Sequence, residues 1–230
     1  MFGELGGASD SMRLEDTGIY PYVSDYLDSC RLMDIEGGVN FCPAYDDTYP
    51  IWYVVSGVVD ICATSQAGRT FVVDTNVEDE FAGHLSNYWG QNFYCACITR
   101  VPSTLLRISP KLFHETLIRC PEFRAFFYFK TSVRLYEMFK QKLAGDFFSD
   151  RQIFADYLVQ NANDGICRLE SASDAARRLQ MSRRNFYNVL HSLEREGLVT
   201  HPTPDEVVLL NVESLQRIAE PVRRFMNNEM

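Results

Sequence analysis

The chain has no C-x-x-C pair and no H-x-H, and no apolar run nears the roughly 20 residues that cross a bilayer. The first absence removes thioredoxin-like redox motifs and zinc ribbons, and the last removes a transmembrane helix. Histidine is scarce: of His84, His114, His191 and His201, only the first two fall outside the C-terminal third. A metal-dependent enzyme built on a roll of strands needs several imidazoles and carboxylates converging, which this composition disfavours. The opening segment MFGELGGASDSMRLEDTG lacks a basic stretch followed by an apolar block. Residues 1–18 are therefore expected to be a loose tail and not a signal peptide.

Seven cysteines, an odd number without an export signal, suggest free thiols in a reducing compartment, and a cytoplasmic location is expected. The close pair Cys95-Ala96-Cys97 would share one face of a strand, an awkward geometry for a disulfide. Small buried hydrophobes are the favoured reading of these cysteines over a redox or metal role.

An excess of positive charge is also missing, since the formal net charge is −9. Its distribution matters more than its total. From Arg168 onward nine basic residues balance nine acidic ones, so all the excess acidity lies in the first 167 residues. Within Ser171–Arg195, five arginines face only Asp174 and Glu194, a local +3 where a polyanion can dock.

From Tyr49 to about Ser109 the pattern is strand-like. IWYVVSGVVDICAT is rich in β-branched and aromatic residues, with Gly57 as a turn or bulge, and SQAGRT (65–70) reads as a hairpin turn around Gly68. Many short strands of this kind suggest a sandwich or barrel-like roll. Ser109 and Pro110 then open a short helix. PEFRAFFYFKTSVRLYEMFKQKLAGDF predicts a long helix reaching Gly145, with Phe123, Phe126, Phe127, Val133, Tyr136 and Phe139 offering more apolar face than a small domain covers alone. Pairing with a second copy is the favoured reading of that face. A helix over about 150–162, NANDG as a loop, a β-hairpin around Pro202, Pro204 and Asp205, and a last helix capped by Asn211 and broken or kinked near Pro221 complete the chain.

Between them lies SASDAARRLQMSRRNFYNVLHSLEREGLV (171–199). Ser171 and Asp174 form a capping-box-like start, and the small Ala176 lets a second helix cross closely. Ser182 caps that second helix, whose Phe186, Val189, Leu190 and Leu193 bury one stripe. The opposite side presents Arg183, Arg184, Tyr187, Asn188 and His191. This is the pattern of a helix-turn-helix followed by a β-hairpin wing, in which arginines of the first turn reach guanine in the major groove. The expected DNA-contacting set is Ser171, Ser182, Arg183, Arg184, Tyr187 and Asn188, with Ser182 and the helix N-terminus meeting phosphate.

The order of strands, long helix and winged helix-turn-helix resembles the Crp/Fnr transcription regulators over about residues 50–215. IWYVVSGVVDI resembles the family's roll strands, DEFAGHL (79–85) its G-D-x-x-G-E-L-like stretch, and ASDAARRLQMSRRNFYNVLHSLEREGLV its DNA-binding helices. The resemblance implies an α+β chain: an N-terminal antiparallel β-roll (a cupin-like jelly roll, 19–117), a long dimerisation helix (118–145) and a C-terminal winged helix-turn-helix (146–230). It implies a homodimer on a palindromic operator in double-stranded DNA, with RNA polymerase as a further partner, no membrane and no cofactor. Cyclic-nucleotide binders of the family use a Glu for the ribose and an Arg for the phosphate. Here those positions hold His84 and the pair Phe93-Tyr94, so cyclic AMP is not the expected effector. Cys30 and Cys42 alone do not make the family's iron–sulfur cluster. His84, Tyr88, Trp89, Phe93 and Tyr94 either line a cavity for an unknown small-molecule effector or fill the old nucleotide site. The competing functions are a metal-dependent cupin-like enzyme and a thiol redox switch.

Overall fold

A computed structural model describes residues 12–43, 50–66, 68, 70–85, 95–169 and 171–229. The described residues divide into two compact units, one holding residues 12–135 and the other residues 136–229.

Among the described residues of the first unit, eight strands form two four-stranded antiparallel sheets. The strands are β1 (Cys30–Ile35), β2 (Asn40–Cys42), β3 (Ile51–Ser56), β4 (Val59–Thr64), β5 (Thr70–Asn76), β6 (Glu80–Ala82), β7 (Cys95–Thr99) and β8 (Ser103–Ile108). One sheet runs β1-β8-β3-β6 and the other β2-β7-β4-β5. Every residue of β3 is buried, because both faces of its sheet are covered. Ile51, Tyr53 and Val55 point to one side, where they meet Phe81, Phe113, Phe123 and Phe127. Trp52 and Val54 point to the other, against Val59 and Cys97 of the second sheet. Gly57 turns the chain between β3 and β4 at φ 100°, where an added Cβ would strike Ser103. Gly68, also at positive φ, donates its N–H to Ser65 in the expected β4–β5 hairpin. A short helix, α1 (Tyr20–Val23), precedes the strands, and after them Ser109 caps α2 (Pro110–Glu115), accepting the N–H of Leu112 at 3.2 Å.

The long helix, α3, spans Pro121–Phe147. Its first half is anchored to the roll by Phe123 and Phe127 and by ion pairs of Lys130 with Asp79 and of Arg134 with Asp74 and Glu80. Asp79, at φ 67°, also accepts from the Tyr53 hydroxyl and from the N–H of Gly18. One carboxylate thus joins the N-terminal segment, a central strand and the helix.

The second unit contains α4 (Asp150–Asn161), β9 (Ala162–Asn163), β10 (Ile166–Arg168), α5 (Ala172–Arg178), α6 (Arg183–Arg195), β11 (Val199–Thr203), β12 (Glu206–Leu209) and α7 (Val212–Met226). Its sheet runs β11-β12-β10-β9. Phe154, Leu158, Ala175, Ala176, Phe186, Leu190, Leu215 and Ala219 form its core. The last turns of α3 join this unit, where Tyr136 donates to Asn228 at 2.9 Å and Phe147 meets Phe225.

Several expectations are corrected. Residues 1–18 are not a loose tail throughout, because Leu14–Asp16 form a 3-10 turn and Leu14 and Thr17 are buried. β1 and β2 lie ahead of the segment whose pattern predicts strands. NANDG is a tight hairpin, with Asp164 and Gly165 both at positive φ between β9 and β10. Gly145 does not end α3, since nothing crowds it and the helix continues to Phe147. Pro221 does not break α7, whose Leu215, Ala219, Val222 and Phe225 stay buried on one face across it.

Candidate nucleic-acid interface

The candidate interface rests on two short helices whose ends are fixed by side chains. Ser171 Oγ accepts the N–H of Asp174 at 3.0 Å and bonds its carboxylate, which starts α5. Ala175 and Ala176 are buried where α5 meets the rest of the unit, as the small-residue spacing predicts. The connecting turn passes through Gln180 at φ 53°, and Met181, buried, donates its N–H to Ala176. A side chain in that left-handed conformation costs about 1 kcal/mol, which the burial of Met181 offsets.

Ser182 then caps α6, accepting the N–H of Asn185 at 3.1 Å. Phe186, Leu190 and Leu193 are buried, and Phe186 meets Phe154 of α4 edge-on at 4.9 Å. Three of the four residues of the expected stripe are thus buried, and Val189 is half-buried beside them. Arg183, Arg184 and Asn188 are exposed and Tyr187 is half-buried. The Arg183 guanidinium lies over the Tyr187 ring, 5.9 Å from its centroid. Arg184 and Asn188, four residues apart, share a face. All six sequence-predicted DNA-contacting residues thus lie on α5, α6 or their caps, and two of them, Ser171 and Ser182, serve as helix caps.

The predicted effector pocket is only partly visible. Tyr88, Trp89, Phe93 and Tyr94 lie outside the described residues. His84 packs edge-on against Phe127, 5.7 Å between rings, and its Nδ1 has no partner among the described residues. Burial pushes the His84 imidazole down to about 4, against a hydrogen bond with the Phe81 backbone that raises it. A groove of 420 Å³ beside β1 and β8, lined by residues including Leu14, Cys30, Leu32 and Val55, does not include His84.

Two contacts escape the sequence reading. Cys42 stands opposite Cys97 across β2 and β7. The hydrogen bond between these thiols, and then burial, hold Cys97 well above its ordinary value. A thiol so protected is a poor nucleophile, which counts against a redox switch at this pair. The second is a cluster of His191, Glu194 and His201. Among the described residues it is the group of three ligand-type side chains within metal-binding reach, and it lies in the second unit and not in the roll.

No protein-family profile and no curated protein sequence matches the chain. Solved structures do. One is a putative Crp/Fnr-family transcriptional regulator from Eubacterium rectale, with TM-score 0.70, 14% identity, and 87% of this chain and 93% of that chain covered. Another is the c-di-GMP-responsive global regulator CLP of Xanthomonas campestris, with TM-score 0.69, 21% identity, and coverage of 82% and 98%. A third is a CRP-family transcriptional regulator from Thermus thermophilus, with TM-score 0.66, 14% identity, and coverage of 82% and 96%. Two antiparallel sheets, one long helix and a capped helix pair with its hairpin give this chain the fold of the CRP/FNR transcription regulators.

Proposed function

We propose that this chain is a sequence-specific, DNA-binding transcription regulator of the Crp/Fnr family. The observation that carries the reading is α6: a capped helix, buried on one stripe, that exposes Arg183, Arg184 and Asn188 together. Arg183 or Arg184 takes the two acceptors of a guanine, Asn188 pairs with an adenine, and Ser171, Ser182 and Tyr187 meet the phosphate backbone. The functional boundaries proposed are a sensory roll over 19–117, a dimerisation helix over 118–145 and a DNA-binding domain over 146–230.

The regulator acts as a homodimer. Support comes from α3, which exposes Phe129, Tyr136, Phe139 and Leu143 at helical spacing, with Phe129 at 65% and Phe139 at 61% exposure. A stripe of this kind is costly in water and suits a parallel twin. Two-fold symmetry then calls for a palindromic operator with half-sites about one helical turn apart. The protein works in the cytoplasm with RNA polymerase as a further partner, and it is not an enzyme. Its effector is not cyclic AMP, because His84, Phe93 and Tyr94 supply neither the ribose acceptor nor the phosphate cation; these residues with Tyr88 and Trp89 form the proposed effector region.

The test is selection of bound duplexes from a randomised pool at one stated salt concentration, without added ligand. An enriched palindrome is expected, with binding that weakens steeply as salt rises. Unchanged site preference in Arg183→Ala/Arg184→Ala sinks the assignment of roles.

A further inference from the structure

His191 and Glu194 stand three residues apart on α6, so they share a face near its C-terminal end. Gly197, at φ 70°, ends the helix by donating its N–H to Glu194 at 2.8 Å, while Leu198 donates to Leu193 at 3.0 Å. That reversal sends β11 back beside the last turns of α6 and sets His201 over the same carboxylate. His191 Nδ1 lies 3.0 Å from one oxygen of Glu194. His201 Nδ1 contacts the other oxygen, which also accepts the His201 backbone N–H at 3.1 Å. The two imidazoles are 5.5 Å apart between centroids, and one ligand atom from each of the three residues falls within 4.8 Å of the others.

We propose that His191, Glu194 and His201 form a binding site for a divalent transition ion of the zinc class, joining helix α6 to strand β11. Two imidazoles and one carboxylate are the donor set that Zn²⁺, Ni²⁺ and Cu²⁺ favour, whereas Mg²⁺ and Ca²⁺ require oxygen ligands. The two oxygens of Glu194 already face one ring each, so the three donor groups converge before any ion arrives. On binding, each imidazole carries its proton on Nε2 and gives Nδ1 to the ion, so no net proton need be lost from the rings. Three protein ligands leave a fourth position to water. The ion replaces two hydrogen bonds by coordinate bonds and fixes the wing strand against the recognition helix. Nothing in this site depends on DNA.

The experiment is a Zn²⁺ titration of the metal-stripped full chain by calorimetry, with amide exchange at His201 followed in parallel. One Zn²⁺ per chain, slower exchange at His201 and no competition from Mg²⁺ are expected. Loss of a partner that merely orients a ligand weakens metal binding by about 10–100-fold, so His191→Ala and His201→Ala should cost at least about tenfold. Glu194→Gln retains an oxygen that can accept the His201 N–H. Weakened Zn²⁺ binding in this variant, with unchanged metal-free melting, separates ligation from folding. Affinity unchanged in His201→Ala, or abolished only by Cys42→Ser/Cys97→Ser, overturns the proposal, as does unaltered exchange at His201 on saturation.

Discussion

The roll and the C-terminal unit solve the problem of a small core in opposite ways. The roll fills its centre with rings: Phe81, Phe113, Phe123 and Phe127 contact one another at centroid distances from 5.0 to 6.3 Å. The second unit brings helices together over Ala155, Ala172, Ala175, Ala176 and Ala219, all buried, with Phe154 and Phe186 as its largest fully buried side chains. A core of rings is vulnerable to truncation, because a lost ring leaves a void that stiff neighbours cannot fill. A core of close helix crossings is vulnerable to enlargement, because the backbones have no room to retreat.

Five substitutions sharpen that contrast. Phe127→Ala should cost about 3–5 kcal/mol of roll stability, read as a fall in denaturant midpoint; a loss under about 1 kcal/mol would mean the ring cluster relaxes freely. His84, packed against Phe127, gives the roll a pH dependence between its folded and unfolded values. Its folded value, about 4, lies below its unfolded value of 6.5, so the stabilisation is present above pH 6.5 and is lost as pH falls toward 4. The loss amounts to up to about 3 kcal/mol, and His84→Gln should flatten the dependence of melting temperature on pH over that range.

In the second unit the expected signs reverse. Ala176→Leu should destabilise by about 1–3 kcal/mol although it adds apolar surface, with melting temperature as the measure. Arg184→Ala belongs to neither core. It should leave melting unchanged and cost about 1–3 kcal/mol of discrimination at one base of the half-site, which a panel of single-base operator variants would locate. Ser182→Ala removes the cap of α6 together with a proposed phosphate contact, and should cost about 1 kcal/mol of stability, with DNA affinity falling as well in a filter-binding titration.

The local chemistry of the chain is largely legible in its sequence. Ser109, Ser182 and Asn211 mark helix starts because a hydroxyl or amide two to three residues before a free N–H is a local device. The stripe of Phe186, Leu190 and Leu193 announces its buried face by period alone, and so does the exposure of Arg183, Arg184 and Asn188. Composition misleads at NANDG and at Pro221. The Asp-Gly dipeptide at 164–165 is a hairpin signal in plain view, and α7 survives Pro221 because its apolar face packs on both sides of it. β1 escapes a local reading because its pairing with β8 joins segments about seventy residues apart, a contact no local pattern encodes.

The same division runs through the functional sites. By itself the sequence determined which helix is the candidate reader of DNA, since capping, amphipathic period and local charge all act within a few residues along the chain. Only the tertiary structure decided that His201 would meet Glu194, that Cys42 would face Cys97, and that Asp79 would tie Gly18, Tyr53 and Lys130 together. These groups are brought together by a glycine reversal, by strand register and by a helix crossing, and such geometry exists only once distant segments have packed.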